Sequence, residues 1–179
     1  LNINGSSHLE SSAALMRDWI NSQSGTTGVA ATSNTSVNAL ATNINLLDQV
    51  QINGTLIGDS VIPSSIDTLV SQINAKSATT KTTASMANDG GIILTNLSGY
   101  EGKNITLSSP TVGASSNALG LSNKIYTGVL TLDSAEKIRF TFGASGKAGD
   151  LSVLGLETGV YIKNPTPDEL AVFITGTES

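Results

Sequence analysis

The chain has no cysteine in its 179 residues, and His8 is its single histidine. A disulfide framework and a thiolate metal site are therefore excluded, and a lone histidine has no second imidazole with which to hold a metal ion. No apolar run approaches the roughly 20 residues that a membrane-spanning helix needs, so we expect no membrane partner.

Charged and aromatic side chains are also scarce. They make up 13% and 4% of the chain, so serine, threonine, asparagine and glycine must cover most of the surface. The net charge is −5, and the lysines and arginines stand singly, without the basic stripe that neutralises phosphates. We therefore expect no nucleic acid partner. Hydrophobic residues still make up 39%, which is enough for a core at this length.

One segment of the sequence occurs twice, 53 positions apart. The offset places Ile20-Asn21 on Ile73-Asn74, at the end of a helical pattern in both copies. An Asn-Gly turn precedes each copy, at Asn4-Gly5 and at Asn53-Gly54. Internal repeats are typical of modular chains in which architecture carries the function.

In the first copy, residues 11–24 have the periodicity of an amphipathic helix. We predict that this helix ends at Gly25 and Gly28, because glycine adopts the left-handed conformation that terminates helices. We expect the helix to contribute to the core an apolar stripe made of Leu15, Met16, Trp19 and Ile20. The alternative role for Trp19 is an exposed stacking platform.

The second copy begins with a predicted hairpin over residues 50–57, centred on Asn53-Gly54. A helix is predicted to start at Pro63-Ser64, with Asp67 as the capping partner of Ser64. A turn at residues 88–91 then returns the chain as a strand. The predicted buried stripe of the helix is Ile66, Leu69, Val70 and Ile73.

The remaining segments are less regular. Residues 34–45 are predicted to be a polar connector, with a short helix through Val37 and Leu40 as the open alternative. The strands expected beyond Pro110 are 126–132, 137–142, 151–156 and 160–162. Residues 168–174 fit either a helical turn or a final strand, and we favour the strand.

Together these patterns predict an α+β fold. Two repeated units of a helix plus antiparallel strands, residues 1–47 and 48–125, precede a mainly β segment at residues 126–179. The chain begins at Leu1 with a strand-like pattern, and we interpret it as a fragment excised from a longer chain.

Two short patterns resemble catalytic motifs but lack the secondary structure or neighbouring residues that those motifs require. Ser134-Ala135-Glu136-Lys137 matches a Ser-x-x-Lys pattern, but that pattern needs a serine at a helix start and this one lies between predicted strands. Residues 143–147 lack the first glycine of a phosphate-binding loop and the hydroxyl residue after its lysine. The acidic residues are spread singly. We therefore predict no enzyme, and no catalytic, cofactor-binding or metal-binding residue.

Four consecutive motifs in the second copy carry a family resemblance. An "INGxxIG" strand lies at residues 52–58, a helix ends in Ile-Asn-Ala at 73–75, and strands of the Gly-x-Leu-x-Leu and x-Ile-x-Ile types follow at 90–95 and 104–107. In this order they resemble the Ile-Asn motif of bacterial flagellins and hook-associated proteins. Residues 126–132 are also similar to a strand that follows the motif in many flagellins.

The resemblance implies a structural region that projects outward from a flagellar filament, with no catalytic residue. It implies an extracellular protein, exported by the flagellar secretion system, whose parent chain contacts other flagellar subunits through helical termini absent here. The parent stays open between flagellin, hook–filament junction protein and cap. The residues to which the resemblance gives structural roles are Ile52, Asn53, Gly54, Ile73, Asn74, Gly90, Gly91, Leu94 and Ile105.

Two further expectations follow from this resemblance. The isolated chain should be a monomer or weak oligomer, and the segments 33–36 and 109–116 should face solvent as antigenic, O-glycosylated loops. A hypothesis from another class is a carbohydrate- or host-surface-binding module of a secreted protein, which a Thr/Asn-rich β region could support. Clustered exposed aromatic side chains would favour that alternative.

Overall fold

The computed structural model describes residues 2–3, 6–7, 12–140 and 159–161. Within them the protein is α+β, with short helices and antiparallel strands, which confirms the predicted fold class. The chain forms two compact units, Leu1–Ser22 with Ala31–Thr131 and Gln23–Ala30 with Leu132–Ser179. The domain boundaries drawn from the sequence, after residues 47 and 125, stay predictions.

The helices repeat with the spacing that the sequence predicts. The first copy contains α1 (Ala13–Ser22) and α2 (Ser24–Thr27), and adding 53 to their bounds gives those of α3 (Ile66–Ala75) and α4 (Ser77–Thr80). Both short helices end in a left-handed residue, Gly28 at φ 67° and Lys81 at φ 57°. The two copies therefore share their backbone course as well as their sequence pattern.

The strands form small sheets. Their bounds are β1 Asn2–Ile3, β2 Ser6–Ser7, β3 Val29–Asn34, β4 Ser36–Ala39, β5 Gln51–Ile52, β6 Thr55–Leu56, β7 Thr82–Met86, β8 Ile92–Asn96, β9 Ile105–Ser108, β10 Lys124–Tyr126, β11 Val129–Ser134, β12 Ile138–Phe140 and β13 Gly159–Tyr161. The two larger sheets have the orders β4-β8-β7 and β10-β9-β5-β6. Three pairs complete the arrangement: β1 with β2, β3 with β11, and β12 with β13.

Most of the hydrophobic core lies in the second copy, and Val37 and Ala39 of β4 join it. Leu69 and Ile73 of α3 are at most 1% exposed and pack with the inward-facing residues of both larger sheets, as predicted, while Ile66 and Val70 line its edge. On β8 the exposure alternates, with Ile92 buried, Ile93 half-buried and Leu94 buried. The core is thus built from branched aliphatic side chains, which a chain with few aromatic residues must use.

The predicted core role of Trp19 is wrong, because its side chain is 44% exposed. The residues that α1 buries are Ala13 and Ala14, at its first turn, while Leu15 is half-buried. The physical reason is that α1 is held at its first turn, where the Ala14 N–H donates to the carbonyl oxygen of Gly102 at 3.0 Å, so the start of the helix is buried rather than the face that carries Trp19.

The predicted polar connector is also wrong in part. Residues 36–39 form β4, and Val37 is buried opposite Leu94 of β8. The predicted solvent-facing loop at 33–36 is wrong in part, because Ser33 and Asn34 end β3, Ser36 begins β4 and Thr35 between them is only 1% exposed, although Asn34 and Ser36 are exposed. A local pattern missed this strand because its partner lies more than 50 residues away along the chain.

Smaller differences concern element ends. The cap of α3 is Ser65, whose hydroxyl accepts from the Thr68 N–H at 3.1 Å, rather than Ser64 with Asp67. Gly25 lies inside α2, and the strand expected at 126–132 is divided into β10 and β11. The features predicted at His8 and at residues 143–147, 151–156 and 168–174 lie outside the described residues.

Ile73 provides the test of this core. Replacing the fully buried Ile73 with alanine should lower the free energy of unfolding by roughly 2–5 kcal/mol, because the lost methylene groups leave a cavity. Chemical denaturation followed by circular dichroism measures the change. Ile125→Ala, at a position 58% exposed, is the matched control and should change stability little. Equal effects of the two substitutions would contradict the core assignment.

Candidate functional site

The residue at the centre of the motif, Asn74, joins a helix to a strand. It lies near the end of α3, its Nδ2 donates to the Ala84 carbonyl oxygen at 2.9 Å, and its Oδ1 accepts from the Ala84 N–H at 2.8 Å. We call this pair of hydrogen bonds the asparagine clasp. Only a carboxamide offers a donor and an acceptor side by side in this way.

The asparagine clasp bonds backbone groups at the outer edge of strand β7. In the sheet β4-β8-β7, the strand β7 has a partner on one side only, so the outer N–H and C=O groups of Ala84 have no strand to bond. Leaving such groups unpaired next to a core is costly, and the Asn74 amide removes that cost. The asparagine therefore fixes the end of α3 against the outer edge of the sheet.

The first copy contains the same clasp. Asn21 of α1 donates from Nδ2 to the Ala31 carbonyl oxygen at 2.9 Å and accepts from the Ala31 N–H at 2.7 Å. Both asparagines reach a residue ten positions ahead. The repeat seen in the sequence is therefore a repeat of a specific contact.

A second asparagine, Asn53, links the hairpin β5–β6 to two other elements. Its Nδ2 donates to the Thr80 carbonyl oxygen at 2.7 Å, and its Oδ1 accepts from the Thr106 N–H at 2.8 Å. Its φ of 49° is left-handed, which asparagine tolerates better than most residues. The turn thus bonds the end of α4 and the strand β9 at once.

The motif glycines are required for two different structural reasons, backbone conformation and close contact. Gly54 and Gly90 adopt φ of 78°, a conformation that turns require and that only glycine adopts without strain. Gly91 has no such conformation, but a Cβ at this position would lie 2.2 Å from the Ala39 carbonyl oxygen. It therefore permits the close approach of β4.

The structure brings the apolar motif residues together. Ile52, Ile73, Leu94 and Ile105 belong to one cluster and each is 0% exposed. The nine residues predicted as structural thus divide into four core side chains, two asparagines that bond the backbone and three turn or contact glycines. This geometry is suited to holding elements together rather than to converting a substrate.

Sequence reasoning missed Thr80, which is fully buried at the end of α4. Its hydroxyl donates to the Lys76 carbonyl oxygen at 3.1 Å and accepts from the Thr82 N–H at 3.3 Å, so it closes the link from helix to strand. The signal was present, since Thr27 occupies the equivalent position of the first copy and its hydroxyl also donates four residues back, to Gln23.

Few charged groups interact. The described ion pairs are Arg17 with Asp18 at 2.7 Å and Lys76 with Asp59 at 2.8 Å. The Gly99 N–H that donates to Glu101 Oε1 holds the pKa of Glu101 below its usual value, and the nearby Arg17 acts in the same direction. Glu101 thus adds stability at neutral pH, and this contribution is lost as the pH falls through its folded-state pKa.

The structure describes one of the motifs considered for catalysis, the Ser-x-x-Lys pattern at Ser134. Ser134 ends a strand, and its hydroxyl accepts from the Glu136 N–H at 3.2 Å, so it lies in a turn rather than at a helix start. Among the described residues, no group of three histidine, cysteine, aspartate or glutamate side chains could hold a metal ion. In the same part of the chain, no helix is long and apolar enough to cross a membrane.

Two tyrosine rings of the described residues have lysine ammonium groups over them. The Lys81 and Lys103 ammonium groups lie 5.1 and 5.7 Å from the ring centre of Tyr100, and Lys124 lies 4.9 Å from that of Tyr126. Burial raises the pKa of Tyr126. In comparisons with known proteins, no family model and no curated protein matches this chain.

The asparagine clasp predicts how substitutions of Asn74 change the stability of the protein. Asn74→Ala should lower the free energy of unfolding by about 1–3 kcal/mol, because it leaves two backbone groups of Ala84 without partners. Asn74→Asp keeps the acceptor and loses the donor, and its carboxylate would also face the Ala84 carbonyl oxygen, so it should not restore stability. Asn38→Ala, on the exposed side of β4, is the control. Denaturant midpoints that do not distinguish Asn74→Ala from this control would refute the clasp.

Proposed function

We propose that this chain is the structural, outward-projecting region of a bacterial flagellar filament subunit or of a hook–filament junction protein. In this proposal it is exported, extracellular and serves motility by forming the outer surface of the filament. Its partners are other flagellar subunits, contacted through helical termini of the parent chain, and it has no catalytic role.

The observation that carries the proposal is the use made of the Ile-Asn motif. Asn21 and Asn74 both bond the backbone of a strand ten residues ahead, and the isoleucine before Asn74 is fully buried. The motif residues are therefore occupied with architecture in both copies. This is the use expected of a repeated module in a filament protein, where a rigid unit is needed and chemistry is not.

The described surface supports the same function. Of the segment 109–116, Thr111, Val112, Ser115 and Ser116 are exposed. Val112 is 99% exposed, so the tip of this segment faces solvent. Hydroxyl side chains in such a position suit an antigenic surface and O-linked glycans.

Composition also agrees with export through a narrow channel. A subunit that passes through such a channel unfolded must refold outside it. A chain without cysteine can do so without forming or reshuffling disulfide bonds.

The test is made in the parent chain. Deleting residues 1–179 should leave filament or junction assembly largely intact and should remove part of the antibody recognition, because assembly is assigned to the parent's termini. Replacing only residues 111–116 with a Gly-Ser linker of equal length is the smaller control, which should change recognition alone. Normal export with loss of assembly would show that this region makes essential subunit contacts.

A second candidate function, a carbohydrate- or host-surface-binding module, is favoured by one observation. Trp19 is 44% exposed on α1, where an indole face can stack against a sugar ring. The rings of Tyr100 and Tyr126 are less available for stacking against a sugar, because lysine ammonium groups lie over them. The candidate therefore depends on a single side chain.

Tryptophan fluorescence tests this candidate directly, because Trp19 is the only tryptophan. A sugar-binding module should show a saturable change in emission with a panel of monosaccharides and host glycans. Trp19→Phe should retain part of the affinity, measured by calorimetry, and Trp19→Ala should lose it. We expect no saturable change, as the structural function requires, and a saturable change would favour the second candidate.

A further inference from the structure

The two copies differ in where the partner of their last strand comes from. In the second copy, β7 pairs with β8, which follows it after a short turn. In the first copy, β3 pairs with β11, and the whole of the second copy lies between them in sequence. The partner strand of β3 therefore lies much later in the sequence than the partner strand of β7.

The chain from β11 onward repeats the pattern of β8 and β9. Leu130 and Leu132 are less exposed than their neighbours on β11, as Ile92 and Leu94 are on β8. The next strand, β12, reads Ile-Arg-Phe where β9 begins Ile-Thr-Leu. The strand β11 thus supplies β3 with the partner that β8 supplies to β7.

The points where the chain enters and leaves the second copy lie side by side. A Cβ at Gly128 would be 2.5 Å from Thr35 Oγ1 and 3.0 Å from the Asn34 carbonyl oxygen. Adjacent ends are the condition for inserting one domain into a loop of another. Gly128 is therefore required by the same kind of close approach that requires Gly91.

The positions of the core residues in the sequence agree with an inserted second copy. Every residue of the hydrophobic cluster, from Val37 to Leu119, and every partly buried residue packed against it, up to Tyr126, lies between these two points. Ala13, Ala14 and Ala31 of the first copy are buried outside the cluster. The second copy therefore has a core of its own, which an independent folding unit needs.

We propose that residues 35–127 are a complete second copy inserted into the first, between the paired strands β3 and β11. The insertion stands whether or not the parent chain is a flagellar subunit. In this proposal the core of the second copy opens and closes without opening the β3–β11 pair.

The two copies meet at one turn, residues 101–103. The carbonyl oxygen of Glu101 accepts from Arg17 Nη1 and from Ser33 Oγ, both at 3.0 Å. The Gly102 carbonyl oxygen accepts from the Ala14 N–H at 3.0 Å, and that of Lys103 accepts from Thr35 Oγ1 at 2.7 Å. The carbonyl groups of Glu101 and Gly102 thus bind three residues that precede the inserted copy, while that of Lys103 binds Thr35 at its entry point.

Native-state hydrogen exchange of the full chain, resolved by mass spectrometry, tests the insertion. Ile73→Ala should speed the exchange of β5, β7, β8 and β9 roughly tenfold or more, through the loss of buried methylene groups, and should leave β3 and β11 unchanged. Asn21→Ala and Leu130→Ala should speed exchange in β3 and β11 together and leave β7 and β8 unchanged. Ile125→Ala is the exposed control and should alter neither group.

Three results would overturn the insertion. The first is a β11 that exchanges faster with Ile73→Ala, which would place it in the second copy. The second is a chain in which every strand responds to every core substitution, which would make it one cooperative unit. The third is a β11 insensitive to both Asn21→Ala and Leu130→Ala. If Ile73→Ala unfolds the second copy entirely, protection of β3 and β11 that survives still supports the insertion, and its loss counts against it.

Discussion

The constraint on which this structure depends is the outer edge of a strand that runs beside the end of a helix. Such an edge presents backbone N–H and C=O groups that no neighbouring strand can bond, and burying them unpaired beside a core is unfavourable. The clasps of Asn21 and Asn74 meet this constraint in the same way, with one carboxamide on the N–H and C=O of a single residue. Because both groups of that residue are bonded, the helix end and the strand are held at a fixed separation. The turns, helices and core of each copy are arranged around this link.

Elsewhere in the described residues, backbone segments lie close together where other proteins would fill the space with large side chains. With 4% aromatic residues the chain cannot fill gaps with large rings, and it brings strands together at positions where a side chain would not fit. Gly91 lies against β4, Gly102 against α1 and Gly128 against the start of β4. The inner layer is then completed by isoleucine, leucine and valine. These close contacts explain why Gly91 and Gly128 are needed at positions where the backbone conformation alone does not require glycine.

A duplicated unit with one copy inserted in the other suits a region that projects from a filament. The chain leaves and returns at neighbouring points, so an outer module can vary while the elements on either side keep their partners. We regard the architectural use of the Ile-Asn motif as the main support for a flagellar function. Trp19 is the feature that a binding function would have to use.

The sequence by itself determined the elements whose signals are local. The Asn53-Gly54 hairpin, the stripe of α3 and the turn at residues 88–91 were predicted because turn chemistry and helical periodicity act within a few residues. The helical periodicity of residues 11–24 likewise predicted α1, which the structure places at Ala13–Ser22. Only the tertiary structure decided that Val37 pairs with Leu94, that β11 completes the first copy, that Trp19 is exposed and that Thr80 is buried. These features depend on partners that are distant in sequence or on how closely two backbones approach, and no local pattern records either.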